Sequence, residues 1–191
     1  MMQFPFQQEL KLEGQRVMLC GVHRAHSEAF FRLVDGNRDD LRLSFPVLCG
    51  EVISVSRARN WIAERRRMQS QGQHLAFVIT SRDTGVLLGY LAAVHIEYRV
   101  PKCELAYFMD AAYRRQGLMQ EALNLLLELL FHSLHFNKVL CRVAPENEAS
   151  LRMLECIGFE REGSIRNDFR SGHGILGDCV YMGKLPPGQG V

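Results

Sequence analysis

The 191-residue sequence predicts a mixed α/β fold, a sheet of about seven strands with helices on both faces. Three observations lead there. Strand-like and helical stretches follow one another as β, α, α, β, β, β, α, β, α, β, β, which is not the regular alternation of a doubly wound sheet. The stretch from Gly117 to about His135 reads as a helix whose continuous polar stripe is Glu121, Asn124, Glu128 and His132, so most of its circumference must be buried. Cys103 to Met109 sets Cys103, Leu105, Tyr107 and Met109 against Glu104, Ala106 and Phe108, a strand with two different faces.

In chain order, Arg16 to Val22 is a short β-like run, and Ala25 to Val34 carries apolar residues at helical spacing until Asp35, Gly36 and Asn37 break it. Irregular chain is expected from there to Ser54, punctuated by Pro46 and Gly50, and a loop of that length often belongs to a binding site. Ser54 or Ser56 can cap a helix to about Ser70, with Trp61, Ile62 and Met68 on its apolar side. His74 to Thr80 and Val86 to Glu97 form a hairpin whose turn chemistry comes from Asp83 and Gly85. Lys138 to Ala144 is a further strand closed by Pro145; Asn147 caps the helix Glu148 to Cys156, and Gly158 ends it. Phe159 to Phe169 and Leu176 to Leu185 make a last hairpin.

The totals bound the function. Hydrophobic residues make up 47% and charged residues 23%, the ordinary globular range, and a net charge of +2 gives no case for nucleic acid. The arginines Arg57, Arg59, Arg65, Arg66 and Arg67 read first as a solvated helix face and second as a contact for an acidic partner. The six cysteines form no C-x-x-C pair and read as reduced, buried small hydrophobes, with no metal site expected. The N-terminus lacks the pattern of a signal peptide, and Leu118 to Phe131 is too short and too interrupted to cross a bilayer. One cytoplasmic domain over residues 1–191 is expected, with flexible ends at 1–9 and 186–191, no membrane or nucleic-acid partner, and a monomeric or homodimeric state.

The chemistry concentrates in Y-R-R-Q-G-L-M-Q-E-A-L, Tyr113 to Leu123. A strand runs into an Arg/Gly turn that opens a helix, so unpaired backbone N–H groups and cationic side chains face an anion, and Gly117 permits close backbone approach. Taken with the strand E-L-A-Y-F-M-D and the later N-E-A-S-L-R-M-L-E-C-I-G-F-E-R-E-G, this turn resembles the GNAT superfamily of acetyl-CoA-dependent N-acetyltransferases. Within it the chain is most similar to the RimJ/RimL branch, which modifies ribosomal-protein N-termini. The resemblance spans roughly residues 10 to 186.

The resemblance implies a mostly antiparallel sheet with two splayed parallel strands at its centre, and acetyl-CoA as co-substrate. The R/Q-x-x-G-x-G/A turn falls on Arg114, Arg115, Gln116, Gly117, Leu118 and Met119, whose backbone would hold the pyrophosphate; Met119 stands where the pattern has a small residue. The backbone of Tyr107, Phe108 and Met109 would pair with the pantetheine arm. Asn147 would hydrogen-bond it, or serve as a helix cap alone, and Ser150 would lie near the thioester sulfur. The tyrosine many relatives carry four residues before the helix-ending glycine is Leu154 here, which leaves Ser150 as the candidate for proton delivery to the thiolate. Glu104 is the candidate base; His95 and Glu97 are weaker ones, and Asp168 and Phe169 fall near an acidic position of RimL-like enzymes without a clean match.

A site without a strong base suits a peptide α-amine, with a pKa near 8, better than a lysine-like nitrogen near 10.4. The expected activity is direct acetyl transfer to a protein or peptide N-terminus, the acceptor entering between the segment Asn37 to Ser54 and the last hairpin. The alternatives are acetylation of a small amine such as a polyamine or aminoglycoside, which acidic residues beyond Asp39, Asp40 and Glu51 would favour, and a non-catalytic acyl-CoA-binding regulatory domain.

Overall fold

The computed structural model describes residues 10–188; the expected flexible end at 1–9 and the last three residues of the other lie outside them. The strands are β1 (Lys11–Glu13), β2 (Val17–Gly21), β3 (Leu75–Ser81), β4 (Leu87–Glu97), β5 (Lys102–Met109), β6 (Lys138–Val143), β7 (Glu160–Arg170) and β8 (Leu176–Lys184). They form one eight-stranded sheet in the order β1-β2-β3-β4-β5-β6-β8-β7, antiparallel throughout except at β5–β6. The expected architecture is present with one strand more. That strand, three-residue β1, is too short to show a period; it is held by pairing Leu12 with Leu19.

The helices are α1 (Ser27–Gly36), α2 (Arg38–Ser44), α3 (Pro46–Glu51), α4 (Val55–Ser70), α5 (Leu118–Glu128) and α6 (Glu148–Cys156). Two of these correct the expected irregular stretch from Asn37 to Ser54. Pro46 does not punctuate a loop; it occupies the first turn of α3, where its missing N–H costs nothing. Arg38 then fastens the pair, donating to the Cys49 and Val52 carbonyls at 2.7 and 2.8 Å. Ser54, rather than Ser56, caps α4 through the Arg57 N–H at 3.2 Å. The helix predicted to reach His135 leaves α-geometry earlier: after Glu128 it closes with a π turn, Leu134 N–H bonding the Leu129 carbonyl at 3.0 Å.

Each face of the sheet carries its own core. On one, α5, the π turn after it and α6 bury Leu123, Leu126, Leu130 and Leu154 completely against Val17, Leu91, Val139 and Met182. Each such leucine contributes about 1.5–3 kcal/mol, and this is why most of the circumference of α5 is apolar. On the other, α1 and α4 place Phe30 and Trp61 in a stack, ring centroids 4.9 Å apart, over Tyr90 and Phe108. The arginines of α4 divide: Arg65 lies 4.7 Å over the Trp61 ring and Arg67 pairs with Glu64, while Arg59 and Arg66 are exposed. The cysteines are free, but not all are buried as expected, because Cys156 ends α6 on its solvent side.

Candidate active site

The strands β5 and β6 pair only from Lys102 with Lys138 to Glu104 with Leu140. Beyond that each follows its antiparallel neighbour, β5 staying with β4 as far as Met109 and β6 with β8 as far as Val143. The two parallel strands therefore splay, and a cleft of about 190 Å³ opens between them. A Cβ at Gly89 would meet the Phe108 carbonyl oxygen at 2.5 Å, so the Phe108 main chain faces β4. Alternation then turns the amides and carbonyls of Tyr107 and Met109 toward the gap. The structure thus brings two of the three predicted backbone positions to the cleft and turns Phe108 away from it; the Met109 carbonyl already accepts from Arg114 Nε at 3.0 Å.

At the end of β5 the chain passes through the Arg/Gly turn. Arg115 and Gly117 both take left-handed backbone, φ 61° and 75°, which lifts the turn toward the start of α5. The first helical bond is made by Glu121 N–H to the Gly117 carbonyl at 3.1 Å, so the N–H groups of Gln116, Gly117, Leu118, Met119 and Gln120 find no acceptor among the described residues. The turn is braced from the residue before β2: Arg16 donates to the Gln116 carbonyl at 2.9 Å and to Glu121 at 3.1 Å. Burial pushes the Glu121 carboxyl up, but the backbone N–H groups of Arg16 and Val17 and the Arg16 guanidinium hold it below its ordinary value. The Arg114 side chain points away from the helix mouth, paired with Asp40 of α2 at 2.7 Å.

The two faces of the cleft differ in chemistry. On the α6 side, Asn147 Oδ1 caps the helix through the Ser150 N–H at 3.2 Å, leaving its amide nitrogen without a partner among the described residues. Ser150 Oγ lies 2.6 Å from the Tyr107 hydroxyl. Cys141 lines the same side; burial pushes its thiol well above the ordinary range. On the other side, Glu104 is bound at both oxygens, by Arg142 Nε at 2.9 Å and by His95 Nδ1 at 2.9 Å. Arg142 continues to Asp168 at 3.4 Å, and Tyr181 donates to Asp168 at 3.0 Å. Burial lowers the Arg142 guanidinium, yet Glu104 and Asp168 hold it above its ordinary value. His95 sits at a β-bulge in left-handed backbone, φ 49°, which aims its ring at Glu104. Ser44 and Phe45 of the α2–α3 corner and Phe169 of β7 close this side.

The sequence matches the acetyltransferase (GNAT) domain family model over residues 16–160. The chain is a GNAT acetyltransferase. It is 30% identical over 131 residues to the uncharacterized N-acetyltransferase p20 of Bacillus licheniformis, covering 69% of this chain and 72% of that protein. In fold the acetyltransferase is similar to the ribosomal-protein-S5-alanine acetyltransferase from Vibrio fischeri, with a TM-score of 0.83 at 15% identity over 96% of this chain and all of that one. It is also similar to Mycobacterium smegmatis RimJ in complex with CoA-disulfide, TM-score 0.85 at 19% identity over 93% and 88% of the two chains. These two neighbours are a ribosomal-protein acetyltransferase and a RimJ, and the second holds a CoA species.

Of the residues singled out in the sequence, the acetyltransferase gathers Glu104, Tyr107, Asn147 and Ser150 around one cleft and sets Arg114 to Met119 at the mouth of α5. Glu97 is elsewhere, paired with Lys102. Arg16, Arg142 and Tyr181 were not among the candidates. The signal for Arg142 was present, an arginine breaking the apolar run K-V-L-C-R-V, but its partners lie 38 and 26 residues away.

Proposed function

We propose that the protein transfers the acetyl group of acetyl-CoA directly to the α-amine of a protein or peptide N-terminus in a ternary complex. The observation that carries this reading is the splay, which opens one cleft with a hydroxyl pair on one side and a carboxylate network on the other. The free N–H groups at the start of α5 suit the pyrophosphate. The gap-facing backbone of Tyr107 and Met109 and the open amide of Asn147 suit the pantetheine amides, and the thioester then lies in the cleft.

The amine approaches from the side of Phe45 and Phe169. Glu104, held by Arg142 and His95, draws the proton from the incoming nitrogen through water. The carbon–nitrogen bond forms, charge builds on the carbonyl oxygen beside backbone N–H groups of the splayed strand, and the carbon–sulfur bond breaks with both electrons going to sulfur. Ser150 meets the departing thiolate with a hydrogen bond from its hydroxyl. Cys141 is no rival nucleophile, since a thiol held that far above its ordinary range carries almost no thiolate; this supports direct transfer.

Two features favour a polypeptide over a polyamine or aminoglycoside. Asp40 is paired with Arg114 and Glu51 lies 3.9 Å from Arg65, so two of the three acids of this segment, Asp39 being the third, are compensated. The rim beside it is apolar, with Leu43, Val47, Ile175 and Leu176 exposed on α3's approach and on the last hairpin, which meet where the Gly172 N–H bonds the Arg42 carbonyl. The test is CoA release from acetyl-CoA across peptides with free N-termini, polyamines and aminoglycosides. Turnover of the peptides is expected. Turnover of small amines alone overturns the acceptor assignment, and acetyl-CoA binding with no release for any amine establishes a non-catalytic binding domain instead.

A further inference from the structure

The hydroxyl pair of the cleft contains a group to which neither the family pattern nor the reading above gives a side-chain role. Tyr107 enters the donor site through its backbone, yet its phenol reaches Ser150 Oγ at 2.6 Å across 43 residues of sequence. Ser150 cannot give up its proton unaided, because an alkoxide is a far stronger base than a thiolate. Its contribution to the departing sulfur is therefore a hydrogen bond, and that bond exists only if the serine hydrogen points at the sulfur. Each hydroxyl owns one hydrogen, and at 2.6 Å one of the two is committed to the bond between them. If Ser150 donates to Tyr107, sulfur receives nothing from the serine.

We propose that Tyr107 is a positioning residue that donates its phenolic hydrogen to Ser150 Oγ, freeing the serine hydrogen for the leaving thiolate of coenzyme A. The direction of donation follows from acidity, since the phenol is the more acidic hydroxyl and the better donor. Burial raises the Tyr107 phenol, with the nearby Cys141 adding to it and the Ser150 bond working against it, so the tyrosine stays protonated and available. Donation into Oγ also polarises the serine, strengthening its own outgoing bond. Three things hold the pair: Tyr107 pairs with Leu91 of β4, its ring packs against the α5–α6 core, and Ser150 is fixed by the Asn147 cap. Proton accounting is closed. The nitrogen loses one proton to Glu104 through water, the sulfur leaves as a thiolate held by the Ser150 hydrogen bond, and both hydroxyls keep their hydrogens.

The proposal rests on the acetyl-transfer reading, and Tyr107→Phe tests it because it removes one oxygen and nothing else. With a peptide acceptor, kcat should fall on the order of 10- to 100-fold while KM for acetyl-CoA stays within about twofold. Ser150→Ala should cost as much, and the double variant no more than either single one, because the two act as a unit. A spectroscopic readout separates this from a structural role: the thiol of bound CoA, followed by thiolate absorbance against pH, should titrate higher in Tyr107→Phe than in the wild type. An unchanged kcat, fully additive losses, or an unshifted thiol titration overturns the proposal. Absence of CoA release by the wild type with every amine overturns the transfer reading and this one with it, whereas wild-type turnover retained by Tyr107→Phe overturns this one alone.

Discussion

The two sides of the cleft are built on different principles. The donor side is local and backbone-made: a turn with two left-handed residues, the open N–H groups of α5 and a capped α6 lie within about one element of each other. The acceptor side is assembled from distant side chains, with His95, Glu104, Arg142, Asp168 and Tyr181 supplied by β4, β5, β6, β7 and β8. In the proposed reading the backbone cradle holds the nucleotide of the acyl donor, which does not change with the acceptor. A side-chain network can change its recipient without disturbing that cradle. The cores beneath differ in the same sense: among the described residues the buried side chains of the α5–α6 core are apolar, with Tyr107 and Tyr113 at its margin, whereas polar His74, hydrogen-bonded to Tyr90 at 3.3 Å, is buried on the α1–α4 side.

Separate perturbations should therefore separate the two sides. The largest effect is expected at Glu104. Glu104→Gln should lower kcat on the order of 10²- to 10³-fold and leave KM for acetyl-CoA nearly unchanged, as steady-state kinetics would show; a comparable rise in that KM would merge the two sides. Next comes acid stability of the α1–α4 side. Burial, aided by the charges of Arg65 and His95, lowers His74 from 6.5 to about 4. Between those values the unfolded chain binds a proton that the folded chain refuses, so stability is full above pH 6.5 and falls as the pH drops toward 4, by roughly 3 kcal/mol at most. Melting temperature against pH should show that decline, and His74→Gln should flatten it.

On the donor side, Gly117→Ala forces a side chain into left-handed backbone and sets a Cβ 3.3 Å from the Arg16 guanidinium. It should raise KM for acetyl-CoA about tenfold, with kcat at saturation kept. The smallest effect is expected at the exposed bridge between the sides. Asp40→Asn removes the Arg114 ion pair but not the Arg114 bond to Met109, so acetyl-CoA affinity measured by calorimetry should change less than about threefold.

This contrast also explains how much the sequence revealed. The cradle was legible because strand, turn, glycine and helix are contiguous and each has its own local signature. The sheet was legible for the same reason, down to the cap at Asn147 and the hairpin turn at Gly85. Helices α2 and α3 were not, since seven and six residues are too few to show a period, and Pro46 reads equally well as a breaker or as a helix start. The acceptor network was half legible. Glu104 could be assigned to a face, but its partners depend on the register of β5 against β6 and of β7 against β8. Asp168 was within sight and could not be placed, because irregular pairing from Ile165 to Phe169, with Asn167 in left-handed backbone, erases the period-two pattern that would have told its face.

The acceptor assignment is tested most directly by one competition within a single molecule: a peptide carrying both a free N-terminus and an internal lysine, incubated with the protein and acetyl-CoA and mapped by fragment mass spectrometry. Acetylation at the N-terminal α-amine is the predicted result. Acetylation of the lysine with the N-terminus untouched would contradict it.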